Sequence, residues 1–353
     1  MSKTKIAAAV SGGIDSLVAA FILKKKYDVT GIHFFTGYES RKKSYIKSEI
    51  KKMCKQIDIP VFFIDIEKEF NEKVVSYFKN SYLKGYTPNP CLVCNPFIKF
   101  SLIPEKAAEL GIDQIATGHY VKTIKDNTGN FFLSKGRDES KDQSYFLSMV
   151  KPEDLKKVKF PLGKLKKSQV KKIADNFSLY PVEKKESQDI CFIKNKDYKD
   201  FLKKDKSFTF KKGDIKDITG KKIGTHNGVF NFTIGQRKGI NCPGPYPYYV
   251  TEIIPEKNLV ITGSKEDLYS DYLFAENLNW FKPPEFPVYS NVKIRYSHIP
   301  QKAVIEKTDN TNSVKIIFSS PVKSVAPGQG AVFYDDEDKI IGAGYISKEN
   351  EKI

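Results

Sequence analysis

Residues 5–26 read KIAAAVSGGIDSLVAAFILKKK, and the changes of character within this string decide the fold. KIAAAV is an uninterrupted apolar run, which suits a strand buried on both faces. SGGIDS follows as a glycine turn. DSLVAAFILKKK then pairs Leu17 with Phe21 and Val18 with Ile22 at helical spacing and carries lysines in its last turn. Strand, glycine turn and helix therefore follow one another within 22 residues.

The alternation continues outward. DVTGIHFF (28–35) reads as a second strand, 41–57 as a basic amphipathic helix, IPVFFIDI (59–66) as a third strand, 67–83 as a helix and 112–117 as a further strand. Strands separated by helices imply a parallel, doubly wound α/β sheet whose ligands sit beyond the carboxyl ends of the strands. GYTPNPCLVCNP (85–96) breaks this pattern, and its proline-bounded turns predict a loop. Beyond about residue 205, turn signals such as KKGD, DITGKK and NCPGPYP separate short strands. From Pro287 the runs VKIRY, KAVIEK, VKIIF, GAVFYD and IIGAGYI alternate between Asn, Asp and Gly turns. That is the pattern of a small antiparallel barrel or sandwich. The expected organisation is an α/β domain over 1–204, a central β-rich domain over 205–272 and a C-terminal antiparallel β-barrel over 273–353.

Hydrophobic residues make up 40% of the 353 and aromatics 13%, enough for packed cores and too much for wholesale disorder. No run approaches the roughly 20 apolar residues of a membrane span. The start, MSKTKIAAAV, leads directly into the glycine turn without a cleavage signal, so an intracellular, cytoplasmic protein is expected. Five cysteines do not make a disulfide scaffold. The Cys91–Cys94 CxxC points instead to metal, redox or sulfur chemistry. The net charge of +17 suits a polyanionic partner such as nucleic acid, although an excess of Lys over Arg also fits a chain that is basic on every surface.

SGGIDS, residues 11–16, can do more than turn. Glycines let the backbone approach phosphate oxygens, a helix N-terminus presents free N–H groups, and Ser11 and Ser16 add hydroxyls. No GK[ST] follows, so it is not a Walker A loop. The plainer alternative makes Asp15 or Ser16 a helix cap. The string resembles the pyrophosphate loop of the ATP-pyrophosphatase superfamily, which cleaves ATP to AMP and pyrophosphate while adenylating a substrate oxygen. TPNPCLVCNPFIKF (87–100), ATGHY (116–120), KDQSYFL (141–147), ESQDICFI (186–193) and FTIGQRKGI (232–240) follow in order. Together these strings resemble the tRNA-uridine 2-thiolases, the MnmA family.

The resemblance implies 2-thiolation of the wobble uridine in tRNAs reading Lys, Glu and Gln codons, with ATP and Mg²⁺ as cofactors. It places ATP against Ala9, Val10, Ser11, Gly12, Gly13, Ile14, Asp15, Ser16 and Gly118. It implies a persulfide carrier at Cys191 and a resolving cysteine at Cys94, both expected in accessible loops. It brings tRNA to Asn89, Pro90, Cys91, His119, Lys141, Asp142, Gln143, Arg295, Tyr296 and Gln329. Cys91, Cys94 and Cys191 are also the ligands that a [4Fe–4S] cluster would use; a structural zinc site would want a fourth ligand. After the second strand the family has a Met and then a Trp-containing segment, where His33-Phe34-Phe35 stands here, which leaves Phe34 to cover the adenine. The TIGQRKG turn (233–239) reads as a basic surface loop without a catalytic role. A cysteine desulfurase or a sulfur-relay protein is the expected sulfur donor, and a monomer the expected state. Two other readings stay open: a different ATP-pyrophosphatase, thiolating another tRNA position or amidating a metabolite, and a catalytically inactive, nucleotide-responsive RNA-binding protein.

Overall fold

The computed structural model describes residues 3–183, 190–193 and 197–348. Strands Val61–Asp65, Asp28–Phe35, Lys5–Ala9, Ile115–Ala116 and Val158–Lys159 lie side by side in that order, and every pairing is parallel. The chain moves outward from Lys5–Ala9 in one direction and later returns on its other side. The order therefore reverses at this strand, which is where open parallel sheets form their ligand crevice. Helices Ile14–Lys24 and Lys43–Lys55 cover the sheet as expected, the first burying Leu17, Val18, Ala19 and Ala20.

The helical segment 67–83 contains a π-type turn, Asn71–Val75. A second helical run covers 91–108, and here the structure corrects the sequence reading. CLVC is helical, not a loop. Asn89 offers its Oδ1 to the Cys91 N–H at 3.2 Å, and Pro90 already has helical dihedrals (φ −64°, ψ −19°). Asn followed by Pro is thus a helix start here, with a side-chain acceptor and then a residue whose missing N–H costs nothing. Pro96, one turn in, cannot donate to the Leu92 carbonyl, and the backbone widens to a π-type run over Asn95–Leu102. The orphaned Leu92 oxygen accepts the Tyr345 hydroxyl at 3.1 Å from the C-terminal region.

Residues 212–263 form a four-stranded sheet, ordered Tyr249–Ile254, Leu259–Gly263, Lys212–Asp217 and Lys222–Asn227. A closed six-stranded barrel follows. It begins at the long strand Tyr269–Trp280, which the alternating pattern after Pro287 had missed, and ends with Ile340–Ser347. Its strand Val288–Lys293 stops before Arg295 and Tyr296, which therefore stand in a turn and not in a VKIRY strand.

Both later regions share cores with the first. Helix residues Phe70 and Phe78, together with Cys94 and Phe192, pack in one cluster with Ile215, Phe232 and Val260. Val121, Leu133, Tyr145 and Leu147 pack with Phe281, Val332 and Tyr334 of the barrel. Polar contacts finish the second seam: Tyr145 donates to the Gly330 carbonyl at 3.1 Å, and Asn279 Nδ2 donates to the Ser148 and Val150 carbonyls at 2.8 and 2.9 Å. Among the described residues no helix is long and apolar enough to cross a membrane.

Candidate active site

The glycine loop leaves the strand Lys5–Ala9 at the sheet's carboxyl edge. Gly12 has φ +95°, a backbone conformation for which glycine is suited. Its carbonyl accepts the Val182 and Glu183 N–H groups at 2.9 and 3.0 Å. Val10 is anchored by His33, whose Nδ1 donates to the Val10 carbonyl at 2.7 Å. Burial holds His33 below the usual imidazole range, so the ring is neutral with its proton on Nδ1. Ser16 Oγ donates to the Gly13 carbonyl at 2.8 Å and accepts the Ser11 N–H at 3.2 Å, which tightens the loop.

The helix that follows has Gly13 at its N-cap and no capping side chain. Neither Asp15 nor Ser16 serves as the cap. The first-turn N–H groups and the positive end of the helix dipole are left facing outward, as an anion site requires. Asp15 points elsewhere. Lys167 Nζ lies 2.7 Å from both of its oxygens, and the Tyr120 hydroxyl donates to Oδ1 at 2.7 Å. Lys167 is 7% exposed. These two partners come from 105 and 152 residues away, so nothing local in the sequence announced them.

Gly118 packs on this loop from the next strand. A Cβ there would lie 2.9 Å from the Asp15 carbonyl carbon and 3.0 Å from the Ser16 nitrogen. Only glycine lets the two turns approach so closely. A recess opens beside them, lined by Ala7, Ala9, Ile32, Phe34, Lys99, Ile103, Ile115, Ala116 and Thr117. Its lining is apolar apart from Thr117 and a single cation, Lys99. Phe34 and Ala9 are therefore together, and Ile14 opens the helix alongside.

The cysteines gather at the same edge. Cys94 is buried, Cys91 half-buried and Cys191 exposed, all as free thiols. Cys94 is thus not the accessible loop residue expected of it, because it lies on the inner face of the 91–108 helix with Ile98. Phe192 pins Cys191 nearby, its ring meeting Tyr38, Phe70, Phe78 and Phe201 with centroids 5.3–5.7 Å apart. Of the string ESQDICFI, Glu186–Asp189 lie outside the described residues.

Burial pushes the Cys94 thiol up to about 12, with the Lys99 charge opposing and both other thiols adding to the rise. Burial also raises Cys91 and Cys191; Lys99 opposes in both cases, and the Cys91 sulfur adds to the rise at Cys191. Cys191 reaches solvent, yet protein crowds its sulfur on the remaining sides. The three thiols act on one another, but among the described residues no three His, Cys, Asp or Glu side chains are arranged to hold a metal ion. The three-thiolate cluster set does not fit this arrangement.

His119 sits against two residues of the recess, Thr117 and Lys99. Its Nδ1 lies 2.7 Å from Thr117 Oγ1 and its Nε2 3.3 Å from Lys99 Nζ. Burial, and next the Lys99 charge, hold it well below the usual imidazole range. The neighbouring 141–143 turn is tied in by Gln143, which accepts the Tyr120 N–H at 3.0 Å. Lys141 is half-buried on that turn. Asp142 does not offer its side chain to a ligand. It is 4% exposed and accepts the Gly136 and Ser144 N–H groups and the Ser144 hydroxyl, so it braces the turn from within.

The barrel contributes from the other side. Gln329 donates to the Thr87 carbonyl at 2.7 Å, bracing the Asn89-Pro90 helix start. Arg295 donates to the Ile234 carbonyl at 3.2 Å, while its Nε is buried without a partner among the described residues. Tyr296 is exposed and lies on Phe146 with centroids 4.5 Å apart. Lys99, Lys167 and Tyr120 are the residues that the sequence reading missed. Lys99 stands in the quoted string 87–100 but just past the 85–96 segment read as a loop, so its place on one helix with Cys94 could not be seen.

Comparison with known proteins gives the family. The chain matches the tRNA methyl transferase HUP domain over residues 4–195, the tRNA methyl transferase PRC-barrel domain over 199–264 and the aminomethyltransferase beta-barrel domain over 270–346. It is 44% identical to the tRNA-specific 2-thiouridylase MnmA of Desulfosudis oleivorans, covering 99% of this chain and 96% of that one. It is 40% identical to the enzyme of the same name from Geotalea uraniireducens, covering 98% and 95%. Clostridium botulinum has a tRNA-specific 2-thiouridylase MnmA 2 that is 40% identical over 99% of each chain. With this identity held over its whole length, the chain belongs to the MnmA family of tRNA-specific 2-thiouridylases.

Proposed function

We propose that this protein is an ATP-dependent tRNA-uridine 2-sulfurtransferase acting on the wobble uridine of tRNAs that read Lys, Glu and Gln codons. One observation carries the reading. An uncapped, glycine-led helix N-terminus and the recess beside it share one sheet edge with Cys94 and Cys191. The domain descriptions speak of methyl transfer and the relatives' names of thiolation. A phosphate-binding loop beside paired thiols supports thiolation.

In this reading the uridine O2 attacks the α-phosphorus of ATP, pyrophosphate leaves, and C2 carries an adenylated oxygen. A desulfurase or relay protein has by then supplied a terminal sulfur to Cys191 as a persulfide. That sulfur bonds to C2, and the C2–O bond breaks with its electron pair departing on AMP. The Cys94 thiol gives up its proton and attacks the Cys191 sulfur. The sulfur–sulfur bond breaks toward the base, leaving 2-thiouridine and a Cys94–Cys191 disulfide, which a thiol reductant reopens. Mg²⁺ would neutralise the phosphates; the loop's carboxylate, Asp15, is taken up by Lys167 and Tyr120, so the metal would be held chiefly through the nucleotide's own phosphates and water. Cys91, next to Asn89 and Pro90, lies where the target base would enter.

The base must leave the anticodon stack to reach this edge. His119, Lys141, Gln143, Arg295, Tyr296 and Gln329 would meet the RNA on both sides of it, with Arg and Tyr suited to phosphate and base faces. The three regions, 1–204, 205–272 and 273–353, then act as one RNA-binding surface of a cytoplasmic monomer.

The test incubates the protein anaerobically with unmodified tRNA, ATP, Mg²⁺ and a desulfurase plus cysteine. Mercury-gel retardation and nucleoside analysis follow. ATP-dependent formation of 2-thiouridine is the expected result. ATP consumption without sulfur in the RNA would point to another ATP-pyrophosphatase, and tRNA binding without ATP consumption to an RNA-binding protein.

A further inference from the structure

Nucleotide recess and thiols meet at one side chain. Lys99 lines the recess with Ala9, Phe34 and Thr117, and it stands on the same helix as Cys91 and Cys94. Among the described residues no carboxylate pairs with it, whereas the other lysine at this edge, Lys167, is held by Asp15. Its ammonium is aimed instead by an imidazole. An ammonium can only donate, so His119 Nε2, 3.3 Å away, is the acceptor, and Nδ1 carries the proton toward Thr117 Oγ1 at 2.7 Å. A lysine oriented by a neutral histidine keeps its full charge for whatever enters the recess.

We propose that Lys99 is a catalytic residue of the sulfur transfer and His119 the residue that positions it. This rests on the function proposed above. When the persulfide attacks, negative charge leaves the terminal sulfur as the C2–S bond forms and appears on the AMP phosphate as the C2–O bond breaks. A fixed cation between the two stabilises both ends of that displacement without giving up a proton. Such preorganised charge is most effective where water is excluded. The geometry has an electrostatic counterpart, because Cys91, Cys94, Cys191 and His119 all respond to the Lys99 charge.

The experiment compares the full-length parent with Lys99→Met and Lys99→Arg, each first shown to melt like the parent. Single-turnover thiolation is followed with ATP, tRNA and persulfide-loaded protein. Separately, alkylation of Cys191 by iodoacetamide is measured at pH 7.5 without tRNA. Lys99→Met is expected to thiolate at least about 100-fold more slowly, the scale of losing one preorganised charge stabiliser. It is also expected to alkylate several-fold more slowly. Lys99→Arg is expected to recover at least a tenth of the parent rate. Thiolation by Lys99→Met within threefold of the parent, or an unchanged alkylation rate, overturns the proposal. Should the parent make no 2-thiouridine, the function reading fails, and the alkylation arm still decides whether Lys99 acts on the thiols.

Discussion

The two halves of the candidate active site are built in opposite ways. The nucleotide half is local: six consecutive residues, 11–16, turn, expose N–H groups and begin a helix, with backbone as the principal instrument. The sulfur half is assembled from 91–99, 117–120 and 190–193, and a core containing residues of the central sheet backs it. Backbone recognition of phosphate needs only a short geometric motif. Moving one sulfur atom between two thiols and a base needs side chains held in register from distant parts of the chain. This difference predicts which changes break one half and leave the other working.

The largest effect belongs to the sulfur half. Cys191→Ser should lower thiolation by at least about 1,000-fold, since the serine oxygen cannot carry sulfur. ATP binding measured by calorimetry should stay within twofold. A parallel loss of ATP affinity would show that the halves are not separable.

Gly118→Ala should do the reverse. Its methyl would meet the Asp15 and Ser16 backbone at 2.9–3.0 Å, shifting the helix start that receives phosphate. ATP affinity is expected to fall about tenfold or more, while alkylation of Cys191 continues at the parent rate. Unchanged ATP binding would mean that this close approach does not govern the loop.

Lys167→Met removes one partner of a mostly buried ion pair and leaves Asp15 with Tyr120 alone. Losing one member of a buried pair costs about 3–5 kcal/mol. Asp15 keeps some solvent exposure, so about 2 kcal/mol in urea unfolding is expected here. A stability equal to the parent's would show the pair to be ornamental to the fold.

The most gradual effect concerns both halves, through His33 beneath the loop and His119 against Lys99. Both have folded-state values depressed below the imidazole range. As pH falls below about 6.5 the unfolded chain takes up these protons before the folded one does. Stability is therefore complete at neutral pH and lost on acidification, by about 1.4 kcal/mol per histidine for each pH unit until the folded value is reached. Unfolding at pH 7.5 and 5.5 checks this. Equal stability at the two values would mean that neither ring stays neutral in the folded protein over that range.

How much of this was legible follows the same division. The strand–loop–helix of residues 5–26, the parallel sheet and the glycine loop could be read directly, because periodicity and glycine placement act over a few residues. The 91–108 helix could not. Asn89-Pro90 and Asn95-Pro96 are turn signals in isolation; in the fold the first starts a helix and the second is tolerated within it, with the barrel's Tyr345 hydroxyl donating to the Leu92 carbonyl that Pro96 cannot serve. Asp142, which the resemblance offered to tRNA, turns inward to three internal donors.

By itself the sequence determined the α/β class and the position of the glycine loop at the end of the first strand. Each of these is written in contiguous residues whose conformational preferences are local. Only the tertiary structure decided that Cys94 is buried, that Asp15 is tied to Lys167, and that Lys99 lines the recess with its ammonium against His119 Nε2. Burial and charge pairing depend on what comes to lie against a side chain, and those neighbours are set by packing across many tens of residues.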